Sequence, residues 1–350
     1  MEALNAFIAL ANYVIIPALS YGSQLALGAL GVTLVYSILR FSNFAHGDMM
    51  AFGTGVTILV TWLLQDGGIG LGPLPTALLA LPIGIIVTAA LALATDRVVY
   101  AHYRKIRATP VVMVMVSVGV MFVMNALTRI MISVLSVPVL GAKDAVSGVD
   151  EIRFADGERF LISARQFKDL TGLAEPLAVR ASSVITFVTA LIVMVALFWF
   201  LNRTRAGKSM RAFSDNEDLA LLSGIDPKRV VMITWIITAA LATIAGTLYG
   251  LDKSFKAFNY FQLLLPIFAA TILGGIGNPM GAIVGGYIIA FSEIGVTYAW
   301  KKVATYLIPG WEPSGLLQLL STDYKFAVSF TILIAVLIFR PTGLFKGKSI

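Results

Sequence analysis

Cysteine is absent from this chain, histidine occurs only twice, and charged residues make up only 13% of its 350 positions. Without cysteine, disulfides, thiolate metal sites and a cysteine nucleophile are excluded. His46 and His102 lie in different segments without carboxylates at ligand spacing, so we predict no bound metal. No serine, histidine and aspartate arrangement is apparent, which argues against an enzyme.

Charge is scarce because 58% of the residues are hydrophobic, whereas a soluble domain carries about twice this charge fraction. Apolar blocks long enough to cross a bilayer recur along the chain, and such spans must be helical to satisfy their backbone. We predict an all-α polytopic membrane protein, one domain over residues 1–350, with about nine (eight to ten) transmembrane helices, some broken or short. Residues 1–17 form either an extra short helix or the start of the first span. The predicted spans are 18–39, 43–64, 74–95, 111–135, 181–201, 230–250, 262–275, 280–299 and 326–339.

Between two of these spans lies a basic polar loop, residues 202–229, whose lysines and arginines predict that it faces the cytoplasm. Ser214 followed by Glu217 matches a capping box, Gly224 suits the position after the last helical turn, and Pro227 prevents continuation. The sequence therefore predicts one short helix within this loop.

A helix of about nine residues is too short to be stable alone in water. Leu219 and Leu222 give it a narrow apolar stripe. Two interpretations stay open: the helix lies on its own membrane domain, or it sits in a groove of a cytoplasmic partner.

The distribution of lysine and arginine predicts the orientation. With the loop 202–229 inside, the same side holds Arg40, Arg97, Arg104, Lys105, Arg107, Arg340, Lys346 and Lys348. The short loops of the opposite side hold only Lys253, Lys256, Lys301, Lys302 and Lys325. This bias predicts a cytoplasmic C-terminus. A long loop, 136–180, then lies outside, either as a solvated lid or as a docking surface for an extracytoplasmic partner.

Two polar or glycine-rich turns adjoin spans. In the first, Gly47 permits irregular backbone and Asp48 can cap a helix that starts at Met49. The second follows a short span containing Pro266, which crosses fully or re-enters; broken helices beside such turns are typical of transporter pathways. The candidates for the pathway or its gate are Asn43, His46, Gly47, Asp48, Gly274, Gly275, Gly277, Asn278 and Pro279.

Small residues four positions apart allow two helices to pack closely, and this is the commonest motif of membrane helices. By itself the motif does not identify a pore. The candidates for such packing are Gly246, Gly250, Gly281 and Gly285.

The net charge of +7 does not indicate nucleic-acid binding, because the basic residues cluster at span ends, where orientation and lipid headgroups explain them. Gly-Lys-Ser occurs at 207–209 and 347–349, but Asn202 and Thr342 stand where a phosphate loop needs glycine. We therefore predict that this chain binds no ATP and no other cofactor.

Four segments together resemble the permease family of branched-chain amino-acid ABC importers. They are Asn43–Asp48 (NFAHGD), Arg205–Ile225 (RAGKSMRAFSDNEDLALLSGI), Ala270–Gly286 (ATILGGIGNPMGAIVGG) and Tyr324–Leu344 (YKFAVSFTILIAVLIFRPTGL). The resemblance covers nearly the whole chain.

This resemblance implies a subunit of the bacterial inner membrane that pairs with a second permease. Two cytoplasmic ATPase subunits would bind the ATP, and an extracytoplasmic binding protein would deliver the substrate. The helix of loop 202–229 then corresponds to the element that couples to an ATPase. The residues expected to serve this coupling are Arg211, Asp215, Glu217, Leu219, Leu222 and Gly224.

The substrate stays open, because relatives of this family carry urea, short amides or other amino acids. Residues 252–266 match the family poorly, and the segments 136–180 and 300–325 are longer and more polar than expected. A different class, a self-contained secondary transporter or channel, would need a coupling-ion site deep in the membrane.

Overall fold

The computed structural model describes residues 2–72, 74–140, 152, 154, 160–308, 311 and 314–345. Many charged residues of the loop 136–180 and two lysines of the tail lie outside these ranges: Lys143, Asp144, Asp150, Glu151, Arg153, Asp156, Glu158, Arg159, Lys346 and Lys348.

Almost all of the described chain is helical. The α-helices are α1 (Glu2–Leu10), α2 (Ile16–Leu39), α3 (His46–Asp66), α4 (Ala77–Thr95), α5 (Ala101–Lys105), α6 (Pro110–Leu140), α7 (Ala164–Thr171), α8 (Ala181–Arg203), α9 (Arg205–Asp215), α10 (Glu217–Leu222), α11 (Pro227–Lys253), α12 (Ala257–Gly274), α13 (Pro279–Thr297), α14 (Lys301–Leu307) and α15 (Lys325–Phe339). Strands β1 (Phe160–Ile162) and β2 (Val179–Arg180) form an antiparallel pair. Nine helical segments of these ranges are long and apolar enough to cross a membrane, which confirms the predicted all-α fold.

The first span is one helix of 38 residues from Glu2 to Leu39. A π-helical turn, Ala11–Ile15, joins α1 to α2, and Pro17 falls in the first turn of α2, where its missing N–H is tolerated. Residues 2–17 are therefore the beginning of the first span and not a separate helix.

The core surrounds α2, which is buried on nearly all sides by α11, α12 and α13. On one flank, α3 packs against α4, α6 and α11. By contrast, α6, α8 and α15 keep large apolar side chains exposed, for example Phe122, Trp199 and Ile338. Continuous apolar surface of this kind suits lipid or another membrane subunit.

The hairpin of α12 and α13 is held together by backbone contact at glycine. A Cβ on Gly285 would overlap the carbonyl oxygen of Ala270. A Cβ on Gly274 would clash with the backbone of Gly281, and one on Gly281 would clash with the backbone of Gly274. The hairpin begins beside Phe255, which bonds to Ile152, and each of its two helices is long and apolar enough to cross a membrane. Their length favours a full crossing over a re-entrant segment.

Two glycines of α11 face different neighbours. A Cβ on Gly246 would lie 2.7 Å from the Met50 carbonyl oxygen of α3, and one on Gly250 would lie 3.0 Å from the Tyr260 hydroxyl of α12. Glycine at these two positions therefore allows close packing of helices. Gly250 should tolerate a larger residue better than Gly246, because its neighbour is a side chain that can shift.

The part of the chain around Glu175, just before α8, packs onto the N-terminal helix. Glu175 accepts hydrogen bonds from Lys302 Nζ at 3.0 Å and the Tyr306 hydroxyl at 2.9 Å, and its backbone N–H donates to Asn5. The hydrogen bond to Glu175 raises the pKa of Lys302, so the ammonium form persists at neutral pH and its stabilising contribution is lost as the pH rises through that pKa. The N-terminus accordingly lies on the same face as this part of the chain.

We predict that Gly285→Ala lowers the thermal midpoint of the detergent-solubilised protein, because overpacking at a backbone contact costs about 1–3 kcal/mol. Gly295→Ala is the matched control, since nothing lies within 4 Å of a Cβ there on the same helix. Fluorescence-detected size-exclusion chromatography after heating measures both. Equal midpoints for the two variants would contradict the close contact.

Candidate functional site

The turn between α2 and α3 lies inside the bundle and is organised by Asn43. Its Oδ1 accepts hydrogen bonds from the Ala45 N–H and the Tyr100 hydroxyl, each at 3.1 Å. The Phe44 N–H donates to Ser117 Oγ of α6 at 3.1 Å. Irregular backbone at this depth is tolerated because the protein supplies every partner that lipid cannot.

Three expectations about this turn were wrong. The helix α3 begins at His46 and not at Met49, and its N-cap position is Ala45. Gly47 is helical; it is needed because a Cβ would lie 2.7 Å from the Tyr260 carbonyl oxygen of α12. Asp48 does not cap the helix, since its carboxylate points to a neighbouring helix instead.

Asp48 accepts a hydrogen bond from Asn125 Nδ2 of α6 at 2.7 Å, with Arg129 within electrostatic reach. Asn125 lies near the middle of the span Pro110–Val137. Asp48 is the third residue of the candidate span His46–Asp66, so it lies near one end of its own helix while its partner lies near the middle of α6. The short connection 40–45 packs inside the bundle, where Phe41, Asn43 and Ala45 are buried.

His46 is fully buried beside α2. A Cβ on Gly31 would lie 2.5 Å from its Cε1, so glycine makes room for the imidazole. The Gly28 backbone also faces the ring, yet neither ring nitrogen makes a hydrogen bond of ordinary geometry to a described residue. A buried imidazole with unused nitrogens is a candidate for contact with a solute or water passing at this depth.

A second polar cluster adjoins this turn through Asn43 and includes residues that the sequence did not single out. Asp96 accepts from both guanidinium nitrogens of Arg104, at 2.6 and 2.9 Å, and from Trp235 Nε1 at 2.7 Å. Tyr100 stacks on Trp235 with ring centroids 5.2 Å apart while its hydroxyl bonds Asn43. This network ties α4, α5 and α11 to the buried turn.

Directly after α4 the helix changes to a π-helical turn at Asp96–Tyr100, and such turns often occur at functional positions. Asp96 and Trp235 are 139 positions apart, so no local pattern pairs them. The available signal was Asp96 itself, a carboxylate directly after a long apolar block.

The second predicted site, 274–279, is the inner turn of the α12–α13 hairpin. Gly275 and Gly277 have φ of 104° and 85°, which require glycine. Asn278 caps α13 by accepting from the Gly281 N–H, and its Nδ2 donates to the Phe345 carbonyl of the tail. Pro279 begins α13. These residues do not meet the His46 and Asp48 cluster; Ser37 of α2, which donates weakly to Gly277 at 3.4 Å, is the link.

The loop 202–229 contains two helices, and the predicted capping box was wrong. Helix α9 continues through Ser214 to Asp215, and α10 starts after Asn216, whose Oδ1 accepts from the Leu219 N–H at 3.1 Å. Glu217 is therefore the first residue of α10. Gly224, at φ 78°, ends it as expected.

One face of this helix pair is anchored to the bundle. Met210, Phe213 and Ala220 are buried, and Arg40 Nη2 donates to the Ser214 carbonyl at 2.6 Å. The opposite face is open, with Leu219 60% and Leu222 85% exposed.

Arg211 and Asp215 line a cavity of about 280 Å³ together with Ser37, Gly277 and Pro279. The cavity separates the helix pair from the inner turn of the α12–α13 hairpin. It leaves space for these elements to move relative to each other.

Within the described ranges, no group of histidine and acidic residues could hold a metal ion. The arrangement is instead a set of buried polar side chains between helices, joined to an exposed pair of short helices.

We predict that Asn125→Asp destabilises the bundle by about 1–3 kcal/mol, because two buried carboxyl groups then face each other. The exchange Asp48→Asn with Asn125→Asp restores one acceptor and one donor and keeps the charge beside Arg129. The thermal midpoint in detergent should fall for the single variant and recover for the exchange. Wild-type stability in the single variant would exclude this contact.

The chain as a whole is similar to a known family of membrane proteins. The family model described as branched-chain amino acid transport system / permease component matches residues 14–337. The chain is 30% identical over 330 residues to the high-affinity branched-chain amino acid transport system permease protein BraD of Pseudomonas aeruginosa, covering 93% of this chain and 92% of BraD. It is 29% identical over 328 residues to LivH of Escherichia coli, a permease protein of the same description, covering 92% and 91%.

Among solved structures, the chain is similar to PsaBC from Streptococcus pneumoniae in complex with Fab. That likeness has 12% identity and a TM-score of 0.45, and it covers 95% of this chain and 92% of the other. The family match extends over nearly every element described above and confirms the resemblance carried by the four sequence segments. The chain belongs to the family of branched-chain amino acid transport system permease components and is a transport subunit, not an enzyme.

Proposed function

We propose that this chain is a membrane subunit of an ATP-driven importer for branched-chain amino acids or a closely related small solute. The names of BraD and LivH support the substrate class. In this proposal the chain forms half of a translocation pathway with a second permease, receives substrate from an extracytoplasmic binding protein, and couples to two cytoplasmic ATPase subunits that bind the ATP.

The observation that carries the proposal is the two-faced helix pair α9–α10. Its buried face ties it to the bundle through Met210 and Phe213, so a displacement of the pair moves the membrane domain. Its open face presents Leu219 and Leu222, which suit an apolar groove of an ATPase. Arg211, Asp215, Glu217 and Gly224 would position these leucines and not carry the binding energy themselves.

A series of contacts joins this helix pair to the buried turn between α2 and α3. Arg40 connects α9 to the end of α2, and Ser37 touches the inner turn of the α12–α13 hairpin. The turn that follows Arg40 contains Asn43 and leads to His46, where α3 begins. We propose that movement of α9–α10 shifts the end of α2 and so opens or closes the polar region around His46 and Asp48, while Gly274–Pro279 acts as a hinge.

The subunit is proposed to lie in the inner membrane with α9–α10 and the C-terminus in the cytoplasm, following the lysine and arginine bias. The exposed apolar faces of α6, α8 and α15 then meet lipid or the second permease. A permease for urea or short amides would have the same architecture, so uptake assays with leucine, urea and acetamide distinguish these substrates.

A self-contained secondary transporter is the competing class, and the buried Asp48 is a group it would use. That class leaves the exposed leucines of α10 without a role. Co-purification of ATPase subunits in mild detergent separates the two classes.

We predict that cysteines introduced at Ser223 and Thr342 react with a membrane-impermeant maleimide only after permeabilisation, whereas one at Lys168 reacts in intact spheroplasts. The native chain has no cysteine, so each reporter is read without background. Reaction of positions 168 and 223 from the same side would overturn the topology.

We predict that Leu222→Glu abolishes the stimulation of ATP hydrolysis by the loaded binding protein. Burying an unpaired charge in a docking groove costs several kcal/mol, and every 1.4 kcal/mol is a tenfold loss of affinity. Membrane insertion should be normal, because the side chain is 85% exposed and contacts little of its own bundle.

Leu222→Met is the control, since this volume-conserving exchange keeps the surface apolar and should retain stimulation. The measurement is ATPase activity of the reconstituted complex with and without binding protein. Full stimulation in Leu222→Glu would mean that α10 is not the coupling element.

A further inference from the structure

A cavity of about 490 Å³ opens on the outer face, between the first span, α11, α13 and the last span. Its size falls within the range of small-molecule sites, which is about 300–1,000 Å³. The walls combine tyrosine rings with charged groups, and the members that matter are Tyr21, Tyr249, Lys253, Glu293 and Lys325. None of these residues belongs to the site described above.

Glu293 is the negative group of this cavity and is only 1% exposed. Ser329 Oγ donates to its Oε1, which fixes the carboxylate. Its Oε2 and the facing Tyr21 hydroxyl make no hydrogen bond of ordinary geometry to a described residue. A buried carboxylate that keeps one oxygen available is suited to accept from an ammonium group.

The positive groups of the cavity are Lys325 and Lys253. The half-buried Lys325 lies within electrostatic reach of Glu293, but within the described chain it forms no ion pair; its ammonium is 4.7 Å from the Phe326 ring centroid and 6.0 Å from that of Tyr21. Lys253 reaches its neighbour Asp252, at 4.0 Å, with half of its side chain exposed. The two ammonium groups and the buried carboxylate therefore share the cavity without direct contact.

The presence of both ammonium groups and a carboxylate in one cavity determines which ligands fit. A metal cation would meet two ammonium groups, and a simple anion would meet the buried carboxylate, so each would be repelled by part of the site. A molecule that carries an ammonium and an anionic group at once matches both parts. The rest of the lining, with Pro17, Ile294 and Tyr249, is apolar enough for an aliphatic side chain.

We propose that this cavity binds a zwitterionic aliphatic amino acid on the outer side of the membrane domain, with its ammonium at Glu293 and Tyr21 and its carboxylate at Lys325 and Lys253. This inference rests on the proposed function and deepens it, because it gives the permease its own recognition of the solute after a binding protein releases it.

The test uses a cysteine reporter at the cavity mouth. Thr322 lines the cavity and is exposed, so we place Thr322→Cys in the complete transporter, reconstituted in nanodiscs, and measure its reaction rate with a methanethiosulfonate reagent. Lys301→Cys, on the same face but outside the lining, is the control reporter.

L-leucine should slow the reaction at position 322, about tenfold when its concentration is ten times its dissociation constant, as simple occupancy requires. Leucinamide, which lacks the carboxylate, and 4-methylpentanoate, which lacks the ammonium, should protect far less. Glu293→Gln should abolish protection by leucine, and no ligand should alter the rate at position 301.

Equal protection by leucine and leucinamide, or protection that persists in Glu293→Gln, would overturn the assignment. The headgroup of phosphatidylethanolamine carries the same pair of charges, so the assay is repeated in discs of phosphatidylcholine alone. Protection that depends on phosphatidylethanolamine and not on leucine would also overturn it. Absence of protection in a complex with binding-protein-stimulated ATPase activity refutes this site and leaves the proposed function intact.

Discussion

Backbone amides buried away from water must find their hydrogen-bond partners within the protein, and the turn between α2 and α3 meets this constraint through two side chains, Asn43 and Ser117. Asn43 binds the Ala45 N–H and the Tyr100 hydroxyl at once, and Tyr100 in turn stacks on Trp235. Because this turn is stable inside the bundle, α3 can begin at His46 among the neighbouring helices. The polar contacts of Asp48 with α6 and the burial of His46 against α2 both depend on that position.

Hydropathy and glycine spacing predicted the fold well because lipid imposes simple rules on both. The nine candidate spans of the described residues and the close packing at Gly281 and Gly285 follow from the length of apolar blocks and from the absence of a side chain. The burial of a polar turn was not predictable in this way. A polar run such as 42–48 looks the same in sequence whether it lies at the surface or inside, and the difference arises from distant partners such as Asn125 and Tyr260.

The loop 202–229 illustrates a different limit. Ser214 and Asn216 are both residue types that favour the N-cap position, and the sequence pattern favoured Ser214 because Glu217 follows it at capping-box spacing. Burial of Met210 and Phe213 against the bundle keeps α9 helical through Ser214, so tertiary packing selects Asn216 as the start of α10. The sequence therefore predicted that a short, capped, leucine-bearing helix exists here. It could not predict that there are two helices, of which α9 packs against the bundle and α10 exposes its leucines.

The tail after α15 has a consequence for the order of assembly. The N–H groups of Leu344 and Phe345 donate to the carbonyls of Leu273 and Gly274, and Asn278 binds the tail in return. These donors lie 71 positions further along the chain than the carbonyls they cover, so they leave the ribosome well after α12 has been made. The carbonyls at the end of α12 therefore lack these partners until α15 and the segment after it have been synthesised. The hairpin of α12 and α13 is thus completed only when a later part of the chain has folded against it.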